Sequence, residues 1–253
     1  MIENNVIAII LGAGKGTRME SRLPKVLHRI CGIPMIIRVI DSVRLAGIKK
    51  IFVVIGYNLE LIKTALYDTK VEFVEQKEQL GTAHAVLQAE NELKDYEGDI
   101  FIINGDSPLV KLDSIKKLIK EHKIHKPAAT ILTSIMENPD GYGRIIRLNN
   151  NNIDKIVEDK DANGQEKMIK EINAGVYCFS SEHLFPALKE VGMDNAKGEM
   201  YLTDVMKIFR NKNLEVMGMP VESSEEAIGI DTVEKLQLAE EVLIRRELES
   251  KEA

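Results

Sequence analysis

Val6-Ile-Ala-Ile-Ile-Leu11-Gly12-Ala13-Gly14-Lys15-Gly16-Thr17-Arg18 is the stretch on which the fold turns. Six apolar residues, mostly β-branched, form a run too short to span a bilayer, so they predict a strand buried on both faces. Glycines and charges follow at once, unlike the apolar core and cleavage site of a signal peptide. In an α/β sheet ligands bind outside the carboxyl ends of the strands, which is where these glycines fall. Glycine lets the backbone take positive φ and approach a phosphate, and successive N–H groups form an anion nest beside Lys15 and Arg18. A glycine-rich turn without ligand is the competing reading of the spacing. A dinucleotide fingerprint wants a third glycine where Thr17 stands and an acid at the end of the second strand, where Gly56 stands. A Walker loop also fails, because Lys15 precedes Gly16 and the Gly-Lys-Ser/Thr ending is missing.

Further apolar runs at 51–55 and 100–103 alternate with segments of helical period, the pattern of a mostly parallel, Rossmann-like sheet flanked by helices. In the first crossover Ile36, Val39, Ile40 and Val43 share one helix face, with Pro34 at the entry and Gly47 at the exit. After about residue 127 the pattern becomes strand-like at 128–136, 144–148 and 153–157, with the asparagines 149–152 as a turn, which predicts a hairpin added to the sheet. Residues 231–249 carry Leu236, Ala239 and Leu243 on one face and predict a closing helix docked on the body. The expectation is one domain over 1–253: a nucleotide-binding part to about 127, a small β-rich sugar-facing lobe over about 128–225, and a closing strand and helix from 226. At 253 residues and 44% hydrophobic the chain has enough apolar surface for such a core.

A net charge of −6 gives no general field for nucleic acid or anionic lipid, so no nucleic-acid or membrane partner is expected and any small anion needs a local basic pocket. The two cysteines, Cys31 and Cys178, lack metal-ligand spacing and suit a reducing, cytoplasmic setting. His122 and His125 have no third ligand and three lysines for neighbours, so they read as a solvated helix end. His84 reads as packing under a loop, and the charged run 240–252 as a solvated face.

The loop from Leu11 to Met19, followed by Leu23-Pro-Lys-Val-Leu27, resembles the signature of the sugar nucleotidyltransferases. Similar blocks continue through Gln76-Lys-Glu-Gln-Leu-Gly-Thr-Ala-His84, Asn104-Gly-Asp-Ser-Pro-Leu109, Gly141-Tyr-Gly-Arg144, Ile156-Val-Glu158, Glu171-Ile-Asn-Ala-Gly175 and Asn195-Ala-Lys-Gly-Glu199. Their order resembles the uridylyltransferase half of the bifunctional N-acetylglucosamine-1-phosphate uridylyltransferase/acetyltransferases. That resemblance implies a GT-A-like fold and transfer of a nucleotidyl group from UTP to N-acetyl-α-D-glucosamine 1-phosphate with Mg²⁺, a step toward cell-wall precursors. The alternatives are another sugar 1-phosphate, such as glucose 1-phosphate, another base, or a sugar-nucleotide-binding module without turnover.

Such a transfer needs no protein nucleophile, because a sugar-phosphate oxygen attacks the α-phosphorus in line and pyrophosphate leaves; positioning and charge neutralisation carry it. Asp106, just beyond the strand at 100–103, is the expected Mg²⁺ ligand. By resemblance Asp231 is the second ligand, although the bifunctional enzymes usually carry Asn in a shorter stretch there, and a helix N-cap is an equal alternative. Lys25 is expected at the α-phosphate and Arg18 at the leaving pyrophosphate. The resemblance also assigns Leu11, Gly12, Ala13, Gly14, Gln76, Gly81 and Thr82 to the nucleotide, and Gly141, Glu158 and Asn173 to the sugar. Gln76 has the donor and acceptor that suit uracil's imide edge. Asn104 stands where several relatives carry Tyr, which bears on sugar selectivity.

Overall fold

The computed structural model describes residues 5–149 and 151–252. The ends of the expected domain, 1–4 and 253, and Asn150 of the expected asparagine turn lie outside the described residues. The first strand, β1 (Val6–Leu11), is buried at five of its six positions, as a doubly covered strand requires. Chain order then gives β2 (Lys50–Ile55), β3 (Glu72–Glu75) and β4 (Asp99–Asn104). These four pair in parallel in the order β4-β1-β2-β3, with Leu11 opposite both Asn104 and Val54. The crossover helix α1 (Met35–Leu45) buries Ile36, Val39, Ile40 and Val43 almost completely, starts after Pro34, and ends before Gly47 at φ 96°.

The second half completes a mixed sheet. Strands β5 (Ala129–Ile135), β6 (Arg144–Arg147), β7 (Ile153–Val157), β8 (Glu171–Ser180) and β9 (Val216–Pro220) follow. The path is β9-β5-β8-β4-β1-β2-β3, and β6 and β7 form the expected hairpin, attached to β8 through Ile172 opposite Arg144. β8 runs antiparallel to β4, so Ser180 meets Asp99 while Val176 meets Ile103. The amino end of β8 therefore lies beside the carboxyl ends of β1 and β4, and this single reversal carries the 171–175 block to the glycine loop. Between Asn173 and Tyr177 the register against β5 shifts, a bulge at the sheet's ligand-binding edge.

Hydrophobic clusters cover both faces of the sheet. A third, smaller cluster joins Ile30, Met35, Leu109 and Ile230 to Ala239 and Val242 of α2 (Val233–Glu252), with Leu236 and Leu243 packed against it, which docks this helix on the body. Among the described residues the strand expected from 226 is absent: a 3₁₀ turn, Ser224–Ala227, leads to the helix, and the last strand is β9. His122 departs from expectation. It is 1% exposed, with Nδ1 2.9 Å from Thr130 Oγ1 and Nε2 3.4 Å from an Asp99 carboxylate oxygen. Its helix turns that residue onto β5, whereas His125, one turn on, is exposed beside Glu121. Among the described residues no helix is long and apolar enough to cross a membrane.

Candidate active site

The glycine loop leaves β1 with Gly12 N–H donating to Val54 C=O at 2.9 Å, while Tyr57 N–H reaches Ala13 C=O at 3.3 Å. These bonds hold the loop across the ends of two parallel strands. Gly16 has φ 63°, and a Cβ there would lie 2.4 Å from Lys25 Cβ. Only glycine permits both the left-handed turn and the close passage of the Lys25 segment. Pro24 starts the 3₁₀ turn Lys25–Leu27, whose Val26 and Leu27 are buried, so the Lys25 stem is anchored by its neighbours.

Two carboxylates stand opposite this loop. Asp106 forms an ion pair with Lys25, and Asp231 lies 3.0 Å from both the Arg18 guanidinium and the Lys235 ammonium. The side chains of Asp106 and Asp231 are 13% and 18% exposed, and Ile230 N–H donates to Asp106 C=O at 2.9 Å, which splices their two segments together. The helix cap is Thr232: its hydroxyl accepts from Lys235 N–H at 3.3 Å, leaving the Asp231 carboxylate turned to the cleft. Asp231 Oδ1 is buried and, despite the nearby Lys235 ammonium, lacks an aligned hydrogen-bond donor.

Leu11, Gly12, Ala13, Gly14, Arg18, Lys25, Gln76, Gly81, Thr82, Asp106 and Asp231 line one cavity of about 390 Å³. Gln76 is 3% exposed; its amide nitrogen donates to Gly81 C=O at 3.0 Å and sits 3.0 Å from His84 Nδ1. The amide nitrogen thus gives a hydrogen bond inside the protein, which leaves Oε1 to accept from a ligand. His84 packs beneath the loop, as its sequence context suggested. The loop is stitched to the second half of the chain by Met200 N–H to Leu80 C=O, Ala83 N–H to Met200 C=O and Leu202 N–H to Thr82 Oγ1, at 2.7, 2.9 and 2.9 Å.

An adjoining cavity of about 200 Å³ shares Leu11, Thr82, Asn104, Asp106 and Asp231, and adds Gly141, Glu158 and Asn173. Asn173 is held at both ends of its amide, donating to Tyr177 Oη at 2.6 Å and accepting from Gly175 N–H at 3.0 Å. Glu158 accepts from the Thr203 hydroxyl at 2.8 Å; burial pushes its carboxyl above the usual range, and that hydrogen bond and the Lys197 charge oppose the rise. Asn104 packs against Gly175, where a Cβ would meet its amide nitrogen at 2.4 Å, so residue 175 has no room for a side chain beside Asn104.

The fold thus brings Arg18, Lys25, Asp106, Asp231 and the other residues expected at the site to one continuous cleft at the ends of the strands. Sequence reading missed several supports. Arg144 is fully buried, paired with Asp159 at 3.1 Å and hydrogen-bonded to Tyr142 C=O, and it braces the Gly141–Gly143 turn. Lys235 reaches both Asp231 and, at 5.0 Å, the Tyr142 ring. Thr203 and Tyr177 orient the side chains of Glu158 and Asn173. The only signal for Arg144 was its place in the Gly-Tyr-Gly-Arg block, whose glycines drew the attention. A larger cavity of about 900 Å³ opens at the opposite end of the sheet near Asp99 and Ser181, and it contains none of these residues.

A family model described as nucleotidyl transferase matches residues 7–222. Among curated proteins, the chain is similar to the "Bifunctional protein GlmU" of Streptococcus thermophilus, 49% identical over 239 residues, 94% of this chain and 52% of that protein. It is also similar to the "Bifunctional protein GlmU" of Oceanobacillus iheyensis, 46% identical over 242 residues, 96% of this chain and 53% of that protein. The chain spans about half the length of these relatives. A solved UDP-glucose pyrophosphorylase complexed with UDP-glucose superposes with a TM-score of 0.76 at 18% identity, covering 96% of this chain and 99% of that one. A putative glucose-1-phosphate thymidylyltransferase from Bacillus anthracis gives 0.74 at 21%, covering 94% of each chain. At those identities the structural likeness bears on the fold alone.

Proposed function

The chain belongs to the nucleotidyl transferase family, and from that premise we propose that it transfers a uridylyl group from UTP to N-acetyl-α-D-glucosamine 1-phosphate, releasing pyrophosphate. The observation that carries the reading is the meeting of the Lys25–Asp106 and Arg18–Asp231 pairs at the junction of the two cavities. A reaction between two phosphate-bearing substrates needs opposed cations and carboxylates where the cavities join. The part to about residue 127 takes the nucleotide, about 128–225 the sugar, and 226–253 closes the site.

Gln76 Oε1 accepts from the uracil N3–H, with Gly81 and Thr82 against the base. A cytosine ring offers an unprotonated acceptor at that position, so the committed amide selects against it. Lys25 leaves Asp106 for the α-phosphate as charge develops on the five-coordinate phosphorus, and Arg18 leaves Asp231 for the departing pyrophosphate. Gly141 and Glu158 receive sugar hydroxyls, and the clamped Asn173 amide receives the N-acetyl group. The sugar-phosphate oxygen attacks in line, its P–O bond forming as the bond to pyrophosphate breaks. The position of Asn104 against Gly175 shapes the sugar side of the pocket.

Asp106 and Asp231 fit a hard divalent cation such as Mg²⁺. Both are half-buried oxygen donors on spliced segments, and Asp231 Oδ1 is a buried acceptor without an aligned donor. Among the described residues no three acidic, histidine or cysteine side chains gather as a cage, which matches an ion held by two carboxylates, water and substrate phosphates. When bound, such an ion supplies charge neutralisation across the phosphates. A cytoplasmic location belongs to the same proposal and accords with two free thiols, Cys31 exposed and Cys178 buried.

The test is pyrophosphate release with UTP and N-acetylglucosamine 1-phosphate in Mg²⁺ buffer. Omission of either substrate, addition of a chelator or Lys25→Ala should abolish it; release indifferent to the sugar phosphate would sink the proposal.

A further inference from the structure

The sugar-side cavity poses an electrostatic problem. Its lining includes Asp106, Glu158 and Asp231 but, among the described residues, no lysine, arginine or histidine. A sugar 1-phosphate is close to a dianion at neutral pH, and its phosphate must enter beside a lining that carries acidic side chains and no cation of its own. Lys25 and Arg18, on the nucleotide side, are each committed to a carboxylate before substrate arrives.

Two cations reach the junction from the other half of the chain, and one of them, Lys235, is already paired with Asp231. Lys197 lines the nucleotide cavity together with Arg18, Lys25 and Asp231. Its ammonium lies 5.7 Å over the Tyr201 ring and is in ion-pair contact with no carboxylate among the described residues. Its charge also favours the ionised form of Glu158, which places it within electrostatic reach of the sugar cavity. The turn that carries it is fixed. Asn195 Oδ1 accepts from Lys197 N–H at 3.2 Å and Glu199 N–H at 3.1 Å, and its amide nitrogen donates to Glu199 C=O at 2.6 Å. Ala196 N–H donates to Asp161 at 2.7 Å, and Gly198 makes the left-handed bend at φ 62°. Four hydrogen bonds around one exposed lysine hold its backbone still, which lowers the entropy lost when its ammonium binds an anion.

We propose that Lys197 is the residue that binds the phosphate of the incoming sugar 1-phosphate and turns its attacking oxygen toward the α-phosphorus at Lys25. This deepens the proposed reaction and rests on it for the identity of the sugar phosphate. The lysine offsets the carboxylates of the sugar cavity and is free to leave the Tyr201 face.

The experiment compares wild type, Lys197→Met and Lys197→Arg in the steady state, varying each substrate at saturation of the other. Loss of a charged hydrogen bond to phosphate predicts that Lys197→Met raises KM for N-acetylglucosamine 1-phosphate on the order of 10- to 100-fold. KM for UTP should stay within about twofold, and Lys197→Arg should recover most of the loss. Calorimetric titration of the unreacted enzyme with N-acetylglucosamine 1-phosphate and with neutral N-acetylglucosamine separates direct contact from an effect through Glu158. Direct contact weakens only the phosphorylated sugar; equal weakening of both, or a rise confined to UTP, overturns the assignment. Should wild type turn over no substrate pair, the proposed reaction falls, and the titration still judges Lys197: equal sugar-phosphate affinity in wild type and Lys197→Met rejects it.

Discussion

Replacing Gly81 with alanine should break the seam between the nucleotide loop and the second half of the chain. Gly81 has φ 115° and ψ 179°, a region that side chains with a Cβ scarcely enter. The added Cβ would lie 2.4 Å from Met200 O, 2.7 Å from its N and 2.9 Å from its carbonyl carbon. All three neighbours are backbone, and Met200 cannot retreat without losing its bonds to Leu80 and Ala83. The conformation costs about 1–3 kcal/mol. Two lost hydrogen bonds add about 0.5–1.5 kcal/mol each, so the closed seam loses about 2–6 kcal/mol. Gln76 is tied to Gly81 C=O, so its amide drifts with the loop. Hydrogen exchange at the Ala83 and Met200 amides should quicken by at least tenfold while the central strands stay protected, and KM for UTP should rise. Native protection at both amides together with an unchanged KM for UTP would refute the reasoning.

Arg144→Met leaves Asp159 and the Tyr142 carbonyl without their buried guanidinium. Because Asp159 is 29% exposed and can rehydrate, the expected loss is about 2–4 kcal/mol, read from the urea midpoint, with KM for the sugar phosphate rising more than KM for UTP. Glu158 has its carboxyl raised by burial, so the native state holds a proton that the unfolded chain releases first. Its contribution to stability is present below the unfolded carboxyl range and fades as pH rises through the raised native value. Glu158→Gln should therefore flatten the decline in melting temperature across that window while weakening sugar-phosphate binding; an unchanged pH slope would contradict the burial argument. His122→Leu strands Asp99 and Thr130 at the far end of the sheet, and should lower the melting temperature without changing either KM.

The first half of this architecture was legible because local and global signals agree there. The run at 6–11 is buried on both sides, the face made by Ile36, Val39, Ile40 and Val43 is the one packed on the sheet, and Gly16 and Gly81 occupy conformations that demand glycine. The glycine loop and Asp106 were legible from their places at strand ends, and the other motif residues only through the family resemblance. What stayed hidden depends on contacts distant in sequence. The strand Glu171–Ser180 inserts antiparallel between two others, and no periodicity encodes which neighbours it chooses. His122 sits among lysines in sequence, and only the packing of its helix on β5 turns it inward. Asp231 and Thr232 are adjacent residues able to cap a helix, and the chain resolves the choice through Lys235 N–H and the ion pair to Arg18. Arg144 is polar by composition and buried by topology.

The most direct measurement is pyrophosphate release with Mg²⁺, pairing UTP, CTP, dTTP, ATP and GTP with N-acetylglucosamine 1-phosphate and glucose 1-phosphate, alongside Asp106→Asn and Lys25→Ala. Release confined to UTP with the N-acetylated sugar, and lost in both variants, is the predicted result. Equal turnover of CTP would contradict the base contact assigned to Gln76, and undiminished activity in either variant would contradict the catalytic centre itself.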